Sequence, residues 1–343
     1  MRARSRLVPE VLEQYGAATR AILFRYLPDV EPRRYLYDLV ADYPRRGGRA
    51  LRPSLCIATA RAFGGRIDDA VATAASIELL HNALLVHDDI EDESQKRRGK
   101  PTMHEMWGVP MAINVGDTLT LLSLRPLLDN RRILGPRLAM RILEETERTA
   151  RESAEGQALE LGWRHDNIVH VRESDYLEMV LKKTCWLTTI HPSRVGALIG
   201  TSGGVDLEPF VRFGFLMGCA FQIQDDVLNL IGDEAAYGKE LDGDIHEGKR
   251  TLMMIRLMER AQEDERRRVV EMLALPRSER TADHVRWVRS RMDAYGCIEY
   301  AQEVASGLAG AALAEFDVTY GHLPPSRDKD FIEELITWVI ERT

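Results

Sequence analysis

Cysteine is scarce and scattered. The 343-residue chain has four, Cys56, Cys185, Cys219 and Cys297. No Cys-x-x-Cys pair occurs, which argues against both a cysteine-bound zinc site and a disulfide framework and points to reduced thiols. Net positive charge is also missing: 46 Lys and Arg against 54 Asp and Glu leave -8 at neutral pH, so nothing suggests a nucleic-acid partner. No run of about 18 apolar residues appears, and a transmembrane helix is not expected. The most apolar stretch, 185–205, is interrupted by Pro192 and Arg194. The basic start, Met-Arg-Ala-Arg-Ser-Arg, is not followed by the apolar segment of a signal peptide, and the expected location is cytoplasmic. Strand signals are absent as well. The Asp-Gly at 242–243 lies in a polar loop rather than between β-branched runs.

What is present is helical periodicity almost throughout. The pattern predicts helices over 7–27, 31–43, 49–63, 68–92, 109–128, 136–162, 173–190, 193–202 and 207–231. After a polar, glycine-rich loop over 232–248 they resume over 249–262, 264–273, 281–295, 297–316 and 328–341. Asp68 or Asp69 is the expected cap of the fourth helix, and Asp206 of the ninth. Composition is otherwise ordinary, 45% hydrophobic and 29% charged, and no linker or repeat divides the chain. The expectation is all-α, one domain over residues 1–343.

The most informative stretch is 81–101. An apolar helix ends in Asp88, Asp89 and Asp92, and Lys96, Arg97, Arg98 and Lys100 follow at once. Carboxylates crowded on one helical face repel each other, and Mg²⁺ relieves that repulsion by bridging a few of them to substrate phosphates. The cations would meet the phosphate oxygens directly. Taken alone, the stretch equally suits a solvated helix end. A second acidic cluster, Asp225 and Asp226 in Phe221-Gln-Ile-Gln-Asp-Asp-Val-Leu-Asn229, closes another apolar helix with similar spacing. Two such clusters could grip a diphosphate between them. Arg49 and Arg52 stand near a helix start, where free N–H groups also favour anions, and His81 lies two turns before Asp88 on the same face.

With these motifs in order over roughly 45–255, the chain resembles the trans-isoprenyl diphosphate synthases. It looks closest to those that make geranylgeranyl diphosphate, through Ile77–Asp92, Gly156-Gln-Ala-Leu-Glu-Leu-Gly-Trp-Arg-His-Asp-Asn167 and Lys183-Thr184. The resemblance implies an isoprenoid synthase-type helical bundle around a deep central cavity, a homodimer, and three Mg²⁺ ions held by Asp88, Asp89, Asp92, Asp225 and Asp226 on an allylic diphosphate. By the same resemblance Arg97, Lys183 and Lys239 touch that diphosphate, and Arg49, Arg52, His81 and Arg98 bind isopentenyl diphosphate. Lys249 ends a mobile lid, and Thr184 and Gln222 line the reacting carbons. In the family a bulky aromatic five residues before the first aspartate blocks long chains. Here that residue is Ala83, on which basis a fifteen-carbon limit is not expected. Three positions depart from the pattern: Arg49 replaces a lysine, Ala50 a basic residue, and Asn229 the last acid of the second motif.

The implied function is head-to-tail condensation of isopentenyl diphosphate with dimethylallyl, geranyl or farnesyl diphosphate to give geranylgeranyl diphosphate. Longer-chain or farnesyl diphosphate synthesis is the first alternative. A class I terpene cyclase is the second, although it needs no second cationic pocket.

Overall fold

An apolar helix with no polar face must be wrapped by other helices to exist in water, and the segment that ends in the first acidic cluster is of this kind. In the computed structural model, which describes residues 6–232 and 241–342, the chain runs α1 (Leu7–Leu23), α2 (Leu51–Ala62), α3 (Ile67–Glu91), α4 (Val109–Ile133), α5 (Pro136–His165) and α6 (Glu173–Val180). A π-helical stretch (Leu181–Ile190) leads into α7 (His191–Gly200). Then follow α8 (Glu208–Ile231), α9 (Gly243–Glu247), α10 (Leu252–Arg260), α11 (Glu263–Ala274), α12 (Ala282–Ala294), α13 (Cys297–Tyr320) and α14 (Arg327–Glu341). The protein is all-α. Among the described residues the one sheet is a two-stranded ladder, Lys96–Arg97 against Lys100–Pro101.

Helix α3 is the central post. Its length and composition would suffice to cross a membrane, yet two thirds of its most apolar window, 67%, is buried inside the protein. Leu79, Ala83 and Val86 are buried in one cluster with Ala112, Val115 and Leu119 of α4. A larger cluster joins α1, α2, α3, α7, α8, α13 and α14 around Leu55, Phe213, Tyr320 and Phe331. A third joins α6, α8 and α10–α13. All four cysteines are buried free thiols.

Several details differ from the periodic expectation. The helix expected over 31–43 is broken into a π-turn, Arg33–Tyr37, and two short pieces, Asp38–Val40 and Asp42–Arg45. Pro32 and Pro44, which lack an N–H, flank and punctuate it. The break expected at Pro192 does not occur, because that residue falls where the backbone passes from π to α spacing and no regular ladder is interrupted. Helix α3 starts from Arg66 with no side-chain cap. Asp68 and Asp69 stand in its first turn, where they complement the helix dipole instead. Asp206 does accept a bond from the Glu208 N–H at 3.1 Å, one residue ahead of the Leu207 N-cap. The expected loop 232–248 contains a short helix, α9.

Helix α5 and the π-helical stretch approach backbone to backbone at Gly156. A methyl there would lie 2.7 Å from the Cα of Lys183, so the two segments must separate to admit it. Gly156→Ala is expected to lower stability by about 1–3 kcal/mol, as overpacking does. Urea unfolding followed by circular dichroism checks this, and an unchanged midpoint would refute it.

Candidate functional site

A cavity of about 680 Å³ lies between α3, α5, α6, the π-helical stretch and α8. Its charged lining includes Asp88, Asp225, Asp226 and Asp244 together with Arg49, Arg52, Arg97, Arg98, Lys183 and Lys249. Its apolar lining includes Leu84, Met179, Leu187 and Phe221. The wall thus changes from carboxylates to hydrocarbon within one turn of α3, from Asp88 back to Leu84.

The three carboxylates of the first cluster occupy three different environments. Asp89 is fully buried and turned away from the cavity. Its Oδ1 accepts from Arg97 Nε at 2.8 Å and its Oδ2 from the Tyr43 hydroxyl at 2.5 Å. Burial alone would lower the pKa of Arg97, but the adjoining Asp89 and Asp88 raise it overall. Asp92 is the C-cap of α3 and is also buried, with Arg164 at 2.6 Å on one oxygen and Lys249 at 2.8 Å on the other. Burial pushes its pKa up, but Lys249 and the other cations bring it below the ordinary value. Asp88 lines the cavity, with Arg97 and Lys183 each 3.3 Å away. A tight turn makes this possible. Arg98 and Gly99 both have positive φ, 54° and 72°, as a two-residue type I′ hairpin requires. The turn sends Arg97 inward to Asp89, while Arg98 Nη1 donates to the Tyr43 carbonyl at 3.1 Å.

The second cluster is wired through neutral groups. Thr184 Oγ1 donates to Gln222 Oε1 at 2.9 Å, Gln222 Nε2 donates to Asp226 Oδ1 at 2.7 Å, and the Tyr176 hydroxyl donates to Asp226 Oδ2 at 2.8 Å. Burial, followed by the nearby Asp244, raises the Asp226 pKa well above the usual carboxylate range. A cation brought here would relieve both effects. Asp225 pairs with Arg342 at 3.2 Å. Asn229 accepts the Asp244 N–H on Oδ1 at 3.0 Å, so its amide oxygen holds the start of α9, and Asp244 brings a further carboxylate to the cavity.

The third part is a cationic corner. Arg52 Nη1 is 3.3 Å from His81 Nε2. Burial lowers the Arg52 pKa to about 10, with Arg98 and Arg342 adding to the effect. Burial, then Arg52 and Arg98, holds His81 well below its usual value, so the imidazole is neutral at neutral pH. Burial also lowers Arg98. Cations destabilised in this way form an anion site.

The polyprenyl synthetase family model matches residues 33–292. The chain belongs to this family. It is 32% identical over 335 residues to a short chain isoprenyl diphosphate synthase of Methanothermobacter thermautotrophicus, covering 98% of both chains. It also superposes on the geranylgeranyl pyrophosphate synthetase of Pyrococcus horikoshii with a TM-score of 0.84 and 32% identity, covering 97% of this chain and 99% of that one. A polyprenyl synthase of Caulobacter crescentus complexed with calcium and isoprenyl diphosphate superposes with a TM-score of 0.85 and 29% identity, covering 99% and 98%.

In this polyprenyl synthetase the expected site residues Arg49, Arg52, His81, Asp88, Arg97, Arg98, Lys183, Thr184, Gln222, Asp225, Asp226 and Lys249 all line the one cavity. Asp89 and Asp92, also expected to hold metal, do not line the cavity: Asp89 is paired with Arg97 and Tyr43, and Asp92 with Arg164 and Lys249. One expectation needs correction. Ala83 was expected to line the hydrocarbon tunnel but is buried against α4. Five residues back from Asp88 is a rotation of about 140° at 3.6 residues per turn, whereas Leu84, four back, does face the cavity. Lys239 lies outside the described residues. Sequence reasoning also missed Tyr43, Tyr176, Arg164, Asp244 and Arg342. Arg342 follows the last helix and carries no motif signal, yet its guanidinium lies 4.0 Å over the Phe221 ring. Glu160, quoted within the Gly156 motif, proves to hold Lys183.

Among the described residues no three carboxylate, histidine or cysteine side chains already converge as a metal cage. Mg²⁺ is held by one or two carboxylates plus substrate phosphates rather than by an all-protein cage. The all-oxygen donors Asp88, Asp225 and Asp226 on the wall fit this role. The two adjacent aspartates should therefore behave oppositely. Asp89→Ala is expected to cost about 3 kcal/mol without metal, because it leaves the buried Arg97 with only its longer contact to Asp88. Asp88→Ala should leave the metal-free melting temperature near that of the parent and remove most of the rise produced by Mg²⁺ with diphosphate. Thermal unfolding with and without Mg²⁺ and diphosphate checks both, and identical behaviour of the two variants would refute the distinction.

Proposed function

We propose that the protein condenses isopentenyl diphosphate with an allylic diphosphate (dimethylallyl, geranyl or farnesyl) to make geranylgeranyl diphosphate, using three Mg²⁺ ions. The observation that carries this reading is the presence of two different anion sites in one cavity. One mixes carboxylates with cations around Asp88 and Asp225; the other is the cationic corner of Arg49, Arg52, His81 and Arg98. A terpene cyclase, which takes one diphosphate, has no use for the second.

The residues present account for the chemistry. Mg²⁺, when bound, supplies Lewis-acid stabilisation of the departing diphosphate. Lys183 and Arg97 add fixed positive charge on the same side, already oriented by Glu160 and Asp89. The cationic corner holds isopentenyl diphosphate so that its double bond meets the allylic carbon that has lost its leaving group. Thr184 and Gln222 are fixed by their hydrogen bond and offer dipoles beside that carbon. Released pyrophosphate takes the final proton, so no dedicated protein base is needed. Water is kept out by the apolar lining and by the 241–249 segment, whose Lys249 is anchored on Asp92 and Glu247. The geranylgeranyl-forming relative in Pyrococcus supports the twenty-carbon product.

Helix α4 supports the homodimer. Val109, Ile113, Leu121, Leu124 and Leu128 fall on one helical face and are 40–67% exposed. An apolar stripe of this kind on a helix otherwise packed in the core marks an interaction surface.

Two measurements test these readings. Incubation with isopentenyl diphosphate, Mg²⁺ and each allylic primer is expected to give a twenty-carbon product by mass. Pyrophosphate release that does not depend on isopentenyl diphosphate would favour a cyclase and overturn the proposal. For assembly, Leu121→Glu with Leu128→Glu is expected to turn a dimer into a monomer in light scattering; a parent chain that is already monomeric refutes the dimer.

A further inference from the structure

Helix α4 has a notch at Gly116. A side-chain carbon there would overlap the His87 imidazole, lying 2.5 Å from Cδ2 and 2.9 Å from Cε1. The ring therefore rests on the backbone of α4, closer than any residue with a Cβ allows. On its other side the same ring lines the cavity, between Leu84 and Asp88 in sequence. Its Nε2 is 3.4 Å from Oδ1 of Asp117, whose side chain is 64% exposed. Asp117 is four residues from both Ile113 and Leu121, which are 44% and 67% exposed, so it belongs to the outer stripe of α4. His87 thus lines the cavity and also contacts a residue of the outer face of α4. Elsewhere along this helix pair the separation is a double layer of buried side chains, Leu79, Ala83 and Val86 against Ala112, Val115 and Leu119.

The contact with Asp117 does not hold the ring in place by itself, since a polar contact this exposed contributes little. The fit over Gly116 does. The His87 side chain is 28% exposed, so a ring pressed from behind moves toward the open space in front of it. Here that space is the cavity, at the level where the apolar wall of Leu84 meets Asp88.

We propose that His87, seated on Gly116, is a specificity-determining residue that sets product length by closing the cavity wall on its α4 side. The inference rests on the prenyl-transfer reading above. A hydrocarbon chain that starts from a diphosphate at Asp88 and runs past Leu84 is flanked by this ring. The position of the ring sets the width available there, and its removal opens the cavity toward the Gly116 backbone.

The test uses the full-length protein and product mass. The parent first has to give its twenty-carbon product; if it forms no prenyl product, the proposed function fails rather than this inference. Gly116→Ala is expected to push the ring inward and shift the main product to fifteen carbons. His87→Ala is expected to shift it to twenty-five carbons or longer. In the double variant the shortening should disappear, because there is no ring left to push. Matching melting temperatures exclude general loosening, and if Gly116→Ala does not fold, His87→Ala decides alone. A product profile for His87→Ala identical to the parent overturns the proposal, as does equal shortening by Gly116→Ala with and without His87.

Discussion

The buried contact between Asp89 and Arg97, completed by the Tyr43 hydroxyl, is the constraint on which the site depends. A guanidinium and a carboxylate taken out of water need each other, and removing either strands the other at a cost of several kcal/mol. Once Arg97 is held on Asp89, the chain has to reverse within two residues, and Arg98 and Gly99 take positive φ to do so. That reversal carries Arg98 to the Tyr43 carbonyl and leaves Asp88 facing the cavity. One buried pair thereby divides a run of charges that are adjacent in the chain between two anion sites.

The two sites differ electrostatically. Around Asp88 the cations have carboxylate partners: the pKa of Arg97 is raised, as is that of Lys183, where Glu160 and Asp88 outweigh burial. In the corner of Arg52, His81 and Arg98, burial and mutual repulsion push the cationic forms down. The first arrangement is balanced, which suits a diphosphate accompanied by divalent cations. In the second, Glu78 opposes burial without outweighing it, which suits a diphosphate alone. This asymmetry follows from the placement of Asp88, Asp225 and Asp226 on α3 and α8 and from the absence of acids in the segment that carries Arg49 and Arg52.

Much of the bundle was legible because helix formation is local. The 3.6-residue period placed most helices to within a few residues, and the apolar character of α3 marked it as central. The gathering of Asp88, Asp225, Lys183 and Arg52 in one cavity also followed from motif order. The departures have local causes. Asp88 and Asp92 share a face only while the helix lasts, and Asp92 is its C-cap, where periodicity no longer governs direction. Asp89 differs from Asp88 by one step of rotation, enough to exchange a cavity for a protein interior. Ala83 was placed on the Asp88 face through the family's position five residues before the first aspartate, which lies about 140° around the helix. Tyr43 and Arg342 come from segments far from any motif, and no spacing rule links them to Asp89 or Asp225.

The amino-acid sequence by itself determined the all-α class, the two acidic helix ends and the set of cations available to them, since periodicity and composition act over a few neighbouring residues. Only the tertiary structure decided which carboxylate faces the cavity, which cations are already neutralised, and that the glycine notch of α4 seats the His87 imidazole. Those outcomes depend on distances between residues far apart in the chain, and on which buried charges find partners once the helices have packed.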